Sequence, residues 1–272
     1  MHLDDALPAL AQRFFNLLDA SLAAAWKGHG AVTRAAPVLF LLGDIFEYWV
    51  GDDHLPAVAH SLAARLAAFS GAGGRVFLMH GNRDFLLDVP LPLQSAAVSF
   101  SRRCGATLLP DPAVIEVAGQ RIALSHGDAL CTDDIRYQQW RSLCRSPAWQ
   151  QPFLSRPVAE RLAMAQSLRK QSMQAQAVTE TISDVNQSAV DELMTALDTR
   201  LLIHGHTHQP MLHRWRDEAA GVTHEPAHEG LHRGPREDWR ARWVLSDWAV
   251  EPPRGSVLPL TVATTDVHAG GC

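Results

Sequence analysis

The chain has 272 residues, of which 47% are hydrophobic and 19% are charged, and its formal net charge is −5. This length suits one large α/β domain or two small ones, and the apolar content supports a sizeable core and excludes global disorder. No apolar run approaches the roughly 18 residues that a membrane span needs. The acidic balance argues against nucleic acid as a partner.

Two further features bear on the cellular compartment. The four cysteines (Cys104, Cys131, Cys144 and Cys272) show no paired spacing, which indicates reduced thiols rather than a disulfide framework or a zinc site. No basic start followed by an apolar stretch and a small-residue cleavage site is present. We therefore expect a cytoplasmic protein.

Apolar periodicity and turn residues predict the secondary structure in chain order. The predicted elements are a helix at Asp5–Lys27, a strand at Pro37–Leu42, a helix at His54–Phe69, a strand at Arg75–Met79, a hairpin of Val114–Val117 with Arg121–Ser125, helix from Ile135 to about Gln187 broken by Pro147, Pro152 and Pro157, and strands at Arg200–Ile203 and Arg242–Leu245. Residues 214–240 are predicted to form a long mobile loop, and the residues after Thr265 a disordered tail.

Positive charge is concentrated in residues 135–175. This segment holds seven cations against one acid, Glu160, so that it carries +6 while the rest of the chain carries −11. One interpretation is a solvated helix face. The other is a surface for phosphate or anionic lipid.

Polar residues beside glycine follow four of the predicted strands. They are Asp44, Asn82, His126 and the pair His206 and His208. Taken singly, Asp44 could be a helix cap and Asn82 a turn residue. Because strands of an open α/β sheet end at a common rim where ligands bind, we expect the five side chains to lie together.

Carboxylate, amide and imidazole groups together suit Mn, Fe, Zn or Mg ions. One aspartate can bridge two ions by giving one oxygen to each. Two ions about 3.5–4 Å apart clamp a phosphoryl group and lower the pKa of a water between them. The pattern therefore predicts hydrolysis of a phosphate ester or anhydride.

The motifs that carry these residues resemble those of a known family. Gly43-Asp44, GNRD (81–84), HGD (126–128) and GHTH (205–208) are similar to the calcineurin-like metallophosphoesterases. The longer strings GDIFEYWVGDD (43–53), HGNRDFLL (80–87), SHGDALCTDDIRYQQWR (125–141), ISDVNQSAV (182–190) and LIHGHTHQP (202–210) resemble the UDP-2,3-diacylglucosamine hydrolases of lipid A synthesis in Gram-negative bacteria. The resemblance covers roughly residues 2–250.

This resemblance implies an α+β fold, a β-sandwich flanked by helices. It implies a single domain over residues 1–265, with a helical lid at 135–187 inserted in it and a disordered tail at 266–272. The implied reaction splits the diphosphate of UDP-2,3-diacylglucosamine into UMP and 2,3-diacylglucosamine 1-phosphate, by attack of a metal-bridging hydroxide on the α-phosphorus. The implied location is the inner face of the cell inner membrane, where the protein would be peripheral and would meet its acylated nucleotide-sugar substrate.

The resemblance also implies two divalent metal ions, with Mn²⁺ the family expectation. One ion would be held by Asp44, Asn82, His126 and His206, and the other by His2, the bridging Asp44 and His208. Members of the family begin with a strand that ends in Asp-x-His-Leu, whereas here Met1-His2-Leu3 opens the chain. We therefore expect the natural chain to start earlier, with an apolar strand ending in Asp.

Substrate contacts are implied at seven positions. They are Asn82, Arg83, Asp134, Ser172, Gln176, Thr179 and His206. Arg83 would grip the diphosphate and act in catalysis together with Asp44, the alternative being an ion pair with Asp84. The alternative role of Asp134 is an N-cap. The family has a lysine near Thr179 that this chain lacks, so Thr179 is a weak substitute.

Apolar residues of the lid segment suggest an acyl-chain groove, with core packing as the alternative. They are Phe153, Leu154, Val158, Leu162, Met164 and Leu168. Two other functions stay open on the sequence: a metallophosphoesterase for soluble nucleotides, and a binding protein without activity.

Overall fold

The computed structural model describes residues 1–28, 36–92, 97–178, 184–216, 223–225, 239–248 and 258. For residues 27–28, 171–178 and 223–225 it describes the backbone alone. The elements are, in chain order, α1 (Pro8–Gly28), β1 (Val38–Leu42), α2 (Ala57–Gly71), β2 (Arg75–Met79), α3 (Phe100–Cys104), β3 (Ala106–Leu109), β4 (Ala113–Val117), β5 (Gln120–Ser125), α4 (Ile135–Cys144), α5 (Pro147–Leu154), α6 (Val158–Val178), α7 (Gln187–Ala196), β6 (Leu201–His204), β7 (Met211–Arg216), β8 (Thr223–Glu225) and β9 (Trp239–Val244).

The strands form two sheets. Parallel β1, β2 and β3 make the smaller sheet. The larger one has the order β4-β5-β6-β9-β7-β8, with β5, β6 and β9 parallel to one another and the remaining pairings antiparallel. Beside β1, Leu3 forms a parallel bridge with Phe46, which holds the start of the chain next to the residues that follow β1.

The core has three layers, which follow from the alternation of side chains along each strand. Phe77 and Met79 of β2 pack between the two sheets, against residues such as Ile203 of the larger sheet. Val76 and Leu78 point the other way and pack under α1 and α2. The outer face of the larger sheet packs on α7. The expected β-sandwich flanked by helices is confirmed.

Most of the predicted elements are confirmed, with shifts of a few residues at their ends. The short α3 and β3 were not predicted, and neither was α7 as a separate helix. The loop predicted over residues 214–240 is wrong where the structure describes it, because β7 extends to Arg216 and β8 covers Thr223–Glu225. Charged side chains interrupt the apolar pattern of the half-exposed strand β7, so its sequence did not indicate a strand. In the structure these side chains pack on their neighbours; the Arg216 guanidinium, for example, lies over the Trp239 ring.

The lid segment is helical, as predicted, and forms α4, α5 and α6. Pro147 begins α5, but Pro152 lies inside that helix and does not break it. Phe153 and Leu154, the next two residues, are buried in the core and hold this turn in place. None of the helices in the described residues is long and apolar enough to span a membrane. The tail 266–272 lies outside the described residues.

Candidate metal centre

The polar residues that follow the strands lie together. Asp44 comes after β1, Asn82 after β2, His126 after β5, and His206 and His208 after β6. Ligand atoms of Asp44, His126 and His206 all lie within 4.8 Å of one another. The rim is thus shared by both sheets, and not formed by one open sheet as the strand pattern suggested.

Unusual backbone geometry permits this close approach. A Cβ atom on Gly81 would lie 2.2 Å from the backbone nitrogen and Oδ1 of Asp44, so no other residue fits there. Among the described non-glycine residues with positive φ, four belong to the predicted ligand set: His2, Asp44, His206 and His208. Such strained conformations cost about 1–3 kcal/mol each and persist where the surrounding structure holds them, often at functional sites.

The donor atoms of the first cluster face one another. His126 Nδ1 donates to the Leu42 carbonyl oxygen at 3.0 Å, and since a carbonyl only accepts, the lone pair of the neutral ring is on Nε2. Asn82 Oδ1 lies 3.1 Å from both His126 Nε2 and His206 Nδ1, and the same amide position lies 2.9 Å from Asp44 Oδ2. One amide oxygen, two imidazole nitrogens and one carboxylate oxygen therefore converge on the same point. This donor set fits a divalent cation.

A second cluster adjoins the first through Asp44. His2 Nε2 lies 3.3 Å from His208 Nε2 and 3.6 Å from Asp44 Oδ2. The other carboxylate oxygen, Oδ1, lies 3.6 Å from His126 Nε2. The two oxygens of Asp44 therefore face different groups of imidazoles, which is the arrangement that a carboxylate bridging two cations requires.

For Asp44, His206 and His208, burial and neighbouring charges favour the forms that bind metal. Burial lowers the pKa of His126, but the carboxylates of Asp44 and Asp128 outweigh it and the pKa is raised. Burial raises the pKa of the Asp44 carboxyl, but the imidazoles of His126, His2 and His206 outweigh it, and the pKa lies well below its usual range. Burial, with a neighbouring imidazole, lowers the pKa of both His206 and His208 to about 4. The carboxyl is therefore ionised and these two imidazoles are neutral near pH 7, as metal ligands must be.

Asp84 holds the loops of the site in place. Its buried carboxylate accepts hydrogen bonds from the backbone nitrogens of Gly81 at 2.7 Å, Ile45 at 2.6 Å and Asp44 at 3.2 Å. These bonds occupy the Asp84 carboxylate. An ion pair between this carboxylate and Arg83 was the alternative role considered for Arg83 from the sequence. Sequence reasoning assigned Asp84 no such role, although it stands in the GNRD motif.

Arg83 lies beside the ligands. Its backbone nitrogen donates to Asp44 Oδ1 at 2.9 Å. Its Nε is buried without a hydrogen-bond partner among the described residues, and burial together with Arg169 lowers the pKa of its guanidinium. A buried, charged donor next to a cation site suits an anionic ligand.

Asp128 connects the rim to the lid, a role that the sequence did not indicate. Its buried Oδ2 accepts hydrogen bonds from Tyr137 Oη at 2.6 Å, Arg141 Nε at 2.9 Å and Arg145 Nη2 at 3.3 Å. The Tyr137 ring lies 6.0 Å from that of His206 between centroids. Helix α4 is thereby fixed next to the metal centre.

Much of the positive charge of residues 135–175 is paired with carboxylates outside that segment. Arg141 and Arg145 pair with Asp128, Arg161 pairs with Asp53, and Arg169 pairs with Glu47. Of the residues suggested for an acyl groove, Phe153 and Leu154 belong to the main core, whereas Leu168 is 38% exposed. Four of the seven cations are therefore paired with carboxylates outside the segment, and both interpretations of the charge stay open for the other three, Arg136, Arg156 and Lys170.

The remaining predicted substrate contacts lie in the lid. Asp134 is exposed and takes the alternative role, since its Oδ1 caps α4 by accepting from the Tyr137 backbone nitrogen at 2.9 Å. Ser172 and Gln176 lie in the last part of α6, where side chains are outside the description, and Thr179 lies outside the described residues.

Comparison with known proteins agrees with this geometry. Residues 14–210 match the family model of the calcineurin-like phosphoesterases. The UDP-2,3-diacylglucosamine hydrolase of Chromobacterium violaceum is 44% identical over 253 residues, which are 91% of this chain and 87% of that protein. The proteins of the same name from Bordetella pertussis and Stenotrophomonas maltophilia are 39% and 38% identical, over 95% of this chain and 88% and 91% of their own lengths.

The matched region contains Asp44, Asn82, His126, His206 and His208, the residues that the fold brings together. The chain belongs to the calcineurin-like phosphoesterase family.

Proposed function

We propose that this chain is a metal-dependent UDP-2,3-diacylglucosamine hydrolase of lipid A biosynthesis, which splits the diphosphate bond to give UMP and 2,3-diacylglucosamine 1-phosphate. The observation that supports two-metal hydrolysis most directly is the placement of Asp44, whose two oxygens face two separate groups of imidazoles. The substrate follows from relatives of that name that match more than 90% of the chain.

Two divalent ions, Mn²⁺ in this proposal, belong at these positions. Asp44, Asn82, His126 and His206 would hold one, and His2, Asp44 and His208 the other. When bound, the ions supply Lewis acidity that polarises phosphoryl oxygens and lowers the pKa of an attacking water near the α-phosphorus.

The protein's own residues bind and orient the diphosphate. Arg83 presents a half-buried guanidinium, with Nε fully buried, that opposes the negative charge gained by the phosphoryl oxygens in the transition state. Asn82 and His206 would contact the substrate as well as the metal. On the lid, Asp134 would contact the glucosamine with the carboxylate oxygen not used for capping, and Ser172, Gln176 and Thr179 complete the proposed contacts.

Docking at an anionic membrane surface on the cytoplasmic side is part of the proposal. Three of the five exposed large hydrophobic residues in the described part of the chain lie on lid helices: Ile135, Leu143 and Leu168. The exposed cation Arg136 directly follows Ile135, and the exposed cation Lys170 lies two residues after Leu168. Apolar and basic groups together suit a protein that takes a lipid substrate from an anionic bilayer.

Paired assays and metal analysis test the function. With Mn²⁺, we expect faster release of UMP from UDP-2,3-diacylglucosamine than hydrolysis of a diadenosine polyphosphate. Asp44→Ala should abolish activity and lower the metal content at both positions, because it removes the shared ligand. Equal rates on both substrates would indicate a phosphoesterase for soluble nucleotides, and two full equivalents of Mn²⁺ in Asp44→Ala would contradict the bridging role.

A further inference from the structure

Glu47 lies outside the proposed ligand set but touches both the site and the lid. Its Oε2 lies 3.1 Å from His2 Nδ1. Its Oε1 forms an ion pair with Nε of Arg169, 122 residues later in the chain on helix α6. The Glu47 side chain is only 14% exposed, so these contacts are shielded from water.

The first contact determines how His2 presents its ring. Glu47 Oε2 and His2 Nδ1 lie at hydrogen-bonding distance but not in hydrogen-bond geometry, and Nδ1 has no hydrogen-bond partner among the described residues. Because a carboxylate only accepts, it favours the ring form with the hydrogen on Nδ1, whose lone pair is on Nε2, the atom that lies near His208 and Asp44. A carboxylate behind an imidazole in this way orients the ring and increases its basicity toward a metal ion.

The second contact fixes the lid to the same carboxylate. The carboxylate faces both partners, His2 through one oxygen and Arg169 through the other. The other anchor of α6, the pair of Arg161 with Asp53, does not involve a residue of the metal centre.

We propose that Glu47 is a positioning residue that couples lid helix α6 to the cation position of His2 and His208. The inference rests on the proposed function, in which those two histidines hold an ion. Arg169 keeps the carboxylate in the place that orients His2, and an ion on His2 in turn keeps the carboxylate in the place that receives Arg169. Because coupling between sites is reciprocal, the ion and the lid contact stabilise each other by the same factor.

Metal binding to the full-length chain tests the first half of the coupling. Mn²⁺ would be titrated into wild type, Glu47→Gln and Glu47→Ala, with bound metal counted by elemental analysis after dialysis. Glutamine has one acceptor oxygen and cannot accept from both His2 and Arg169. We expect one Mn²⁺ equivalent to bind normally and the other about 10- to 100-fold more weakly in both variants, the usual effect of losing a carboxylate behind a ligating histidine.

The matched control is Glu160→Gln on the same helix α6, which removes an exposed ion pair with Arg156, a residue that precedes the helix. This variant should bind both equivalents as wild type does. Wild-type affinity for both equivalents in the two Glu47 variants would overturn the proposal. Fewer than two equivalents in wild type would instead contradict the two-ion site of the proposed function.

Hydrogen exchange of residues 158–170 tests the second half. We expect Mn²⁺ to slow amide exchange of this segment in wild type and in Glu160→Gln, but not in Glu47→Gln or Arg169→Gln. A merely structural role for Glu47 would alter exchange equally with and without metal. Equal slowing by Mn²⁺ in wild type and all variants would overturn the coupling.

Discussion

Three buried or nearly buried carboxylates outside the proposed ligand set each hold a different part of the rim. Asp84 binds the backbone of the loops that follow β1 and β2. Asp128 binds cations of α4 and the residue after it, and Glu47 lies between His2 and α6. Each is an acceptor that several donors share, so its replacement would leave buried groups unpaired. The precision of the ligand geometry therefore depends on residues that need not touch metal.

The position of Arg83 leads to a prediction about the rate of catalysis. Arg83→Ala should lower kcat roughly 10²- to 10³-fold, about 3–4 kcal/mol, if the guanidinium acts as other lost oxyanion donors do. Metal content should be unchanged, because the Arg83 contact with Asp44 comes from its backbone nitrogen, which alanine keeps. Steady-state kinetics with elemental analysis measures both. An unchanged kcat would make Arg83 a structural residue.

Asp52 makes a prediction about pH. The carboxylate accepts hydrogen bonds from Trp49 Nε1 and from the backbone nitrogens of Asp88 and Phe100, and it is 3% exposed. Burial raises the pKa of Asp52 from 3.8 to about 6. The folded state thus binds this proton more tightly than the unfolded state does. The stability that Asp52 contributes by binding this proton is complete below about pH 4 and is lost as the pH rises through 6.

The measurement compares wild type with Asp52→Asn, which cannot titrate at this position. We expect the free energy of unfolding of wild type relative to Asp52→Asn to fall by about 2–3 kcal/mol between pH 4 and pH 7. Urea denaturation at each pH gives this difference. Asp19→Asn, at an exposed ion pair with Arg65, is the control. A difference independent of pH would mean that the carboxyl of Asp52 titrates normally.

Among the elements, the lid helices are attached to the rest of the chain by ion pairs as well as by apolar contacts such as those of Phe153 and Leu154. Helix α4 is fixed through Asp128, and α6 through Asp53 and Glu47. Gly51 allows the Arg161 anchor, since a Cβ there would lie 2.5 Å from Arg161 Nη1. Of the arginines in these ion pairs, Arg161 is the most buried.

Arg161→Met should destabilise the lid. Arg161 is 2% exposed and donates to Asp53, to the Val50 carbonyl and to the Arg156 carbonyl. Its removal leaves those acceptors without their donor, at a cost of about 3 kcal/mol in unfolding free energy. Chemical denaturation should show this loss, while Arg156→Met, at an exposed pair, should change stability by less than about 1 kcal/mol. Equal effects of the two substitutions would contradict an anchoring role for Arg161.

For the whole molecule, the two facing sheets decide where the site forms. Residues such as Phe77, Met79 and Ile203 pack between the sheets, directly behind the strand ends that carry the proposed ligands. Each sheet supplies part of the ligand set. The relative position of the two halves of the site thus depends on this middle layer of the core.

Met79→Ala tests that layer. Met79 is fully buried, so the substitution leaves a cavity between the sheets and should lower the unfolding free energy by about 2–5 kcal/mol. The control is Leu7→Ala, where the side chain is 49% exposed and the expected change is within about 0.5 kcal/mol. Denaturant titration measures both. A loss below 1 kcal/mol for Met79→Ala would mean that the sheets close over the cavity.

Much of the fold was predictable because strand and helix patterns are local. The apolar runs before Asp44, Asn82, His126 and His206 ended where the strands end, and each polar residue beside glycine marked a rim position. Strand β7 was not predictable, because charged residues interrupt its apolar alternation. The strand is recognised only by its pairing with β9. Whether the strands share one sheet or two also depends on contacts between distant segments.

The sequence by itself determined the residue types of the proposed metal ligands and their order along the chain. The reason is that a motif is short, so a few backbone dihedrals set the spacing of its side chains. Only the tertiary structure decided the partners of buried charges. Glu47 with Arg169, Asp53 with Arg161 and Asp128 with Arg141 join residues 13 to 122 positions apart, and the isolated segments read only as acidic or basic. The spacing of charged residues along the chain does not indicate which acid pairs with which base. Only the packing of the lid against the rim shows which cations anchor the lid and which remain exposed.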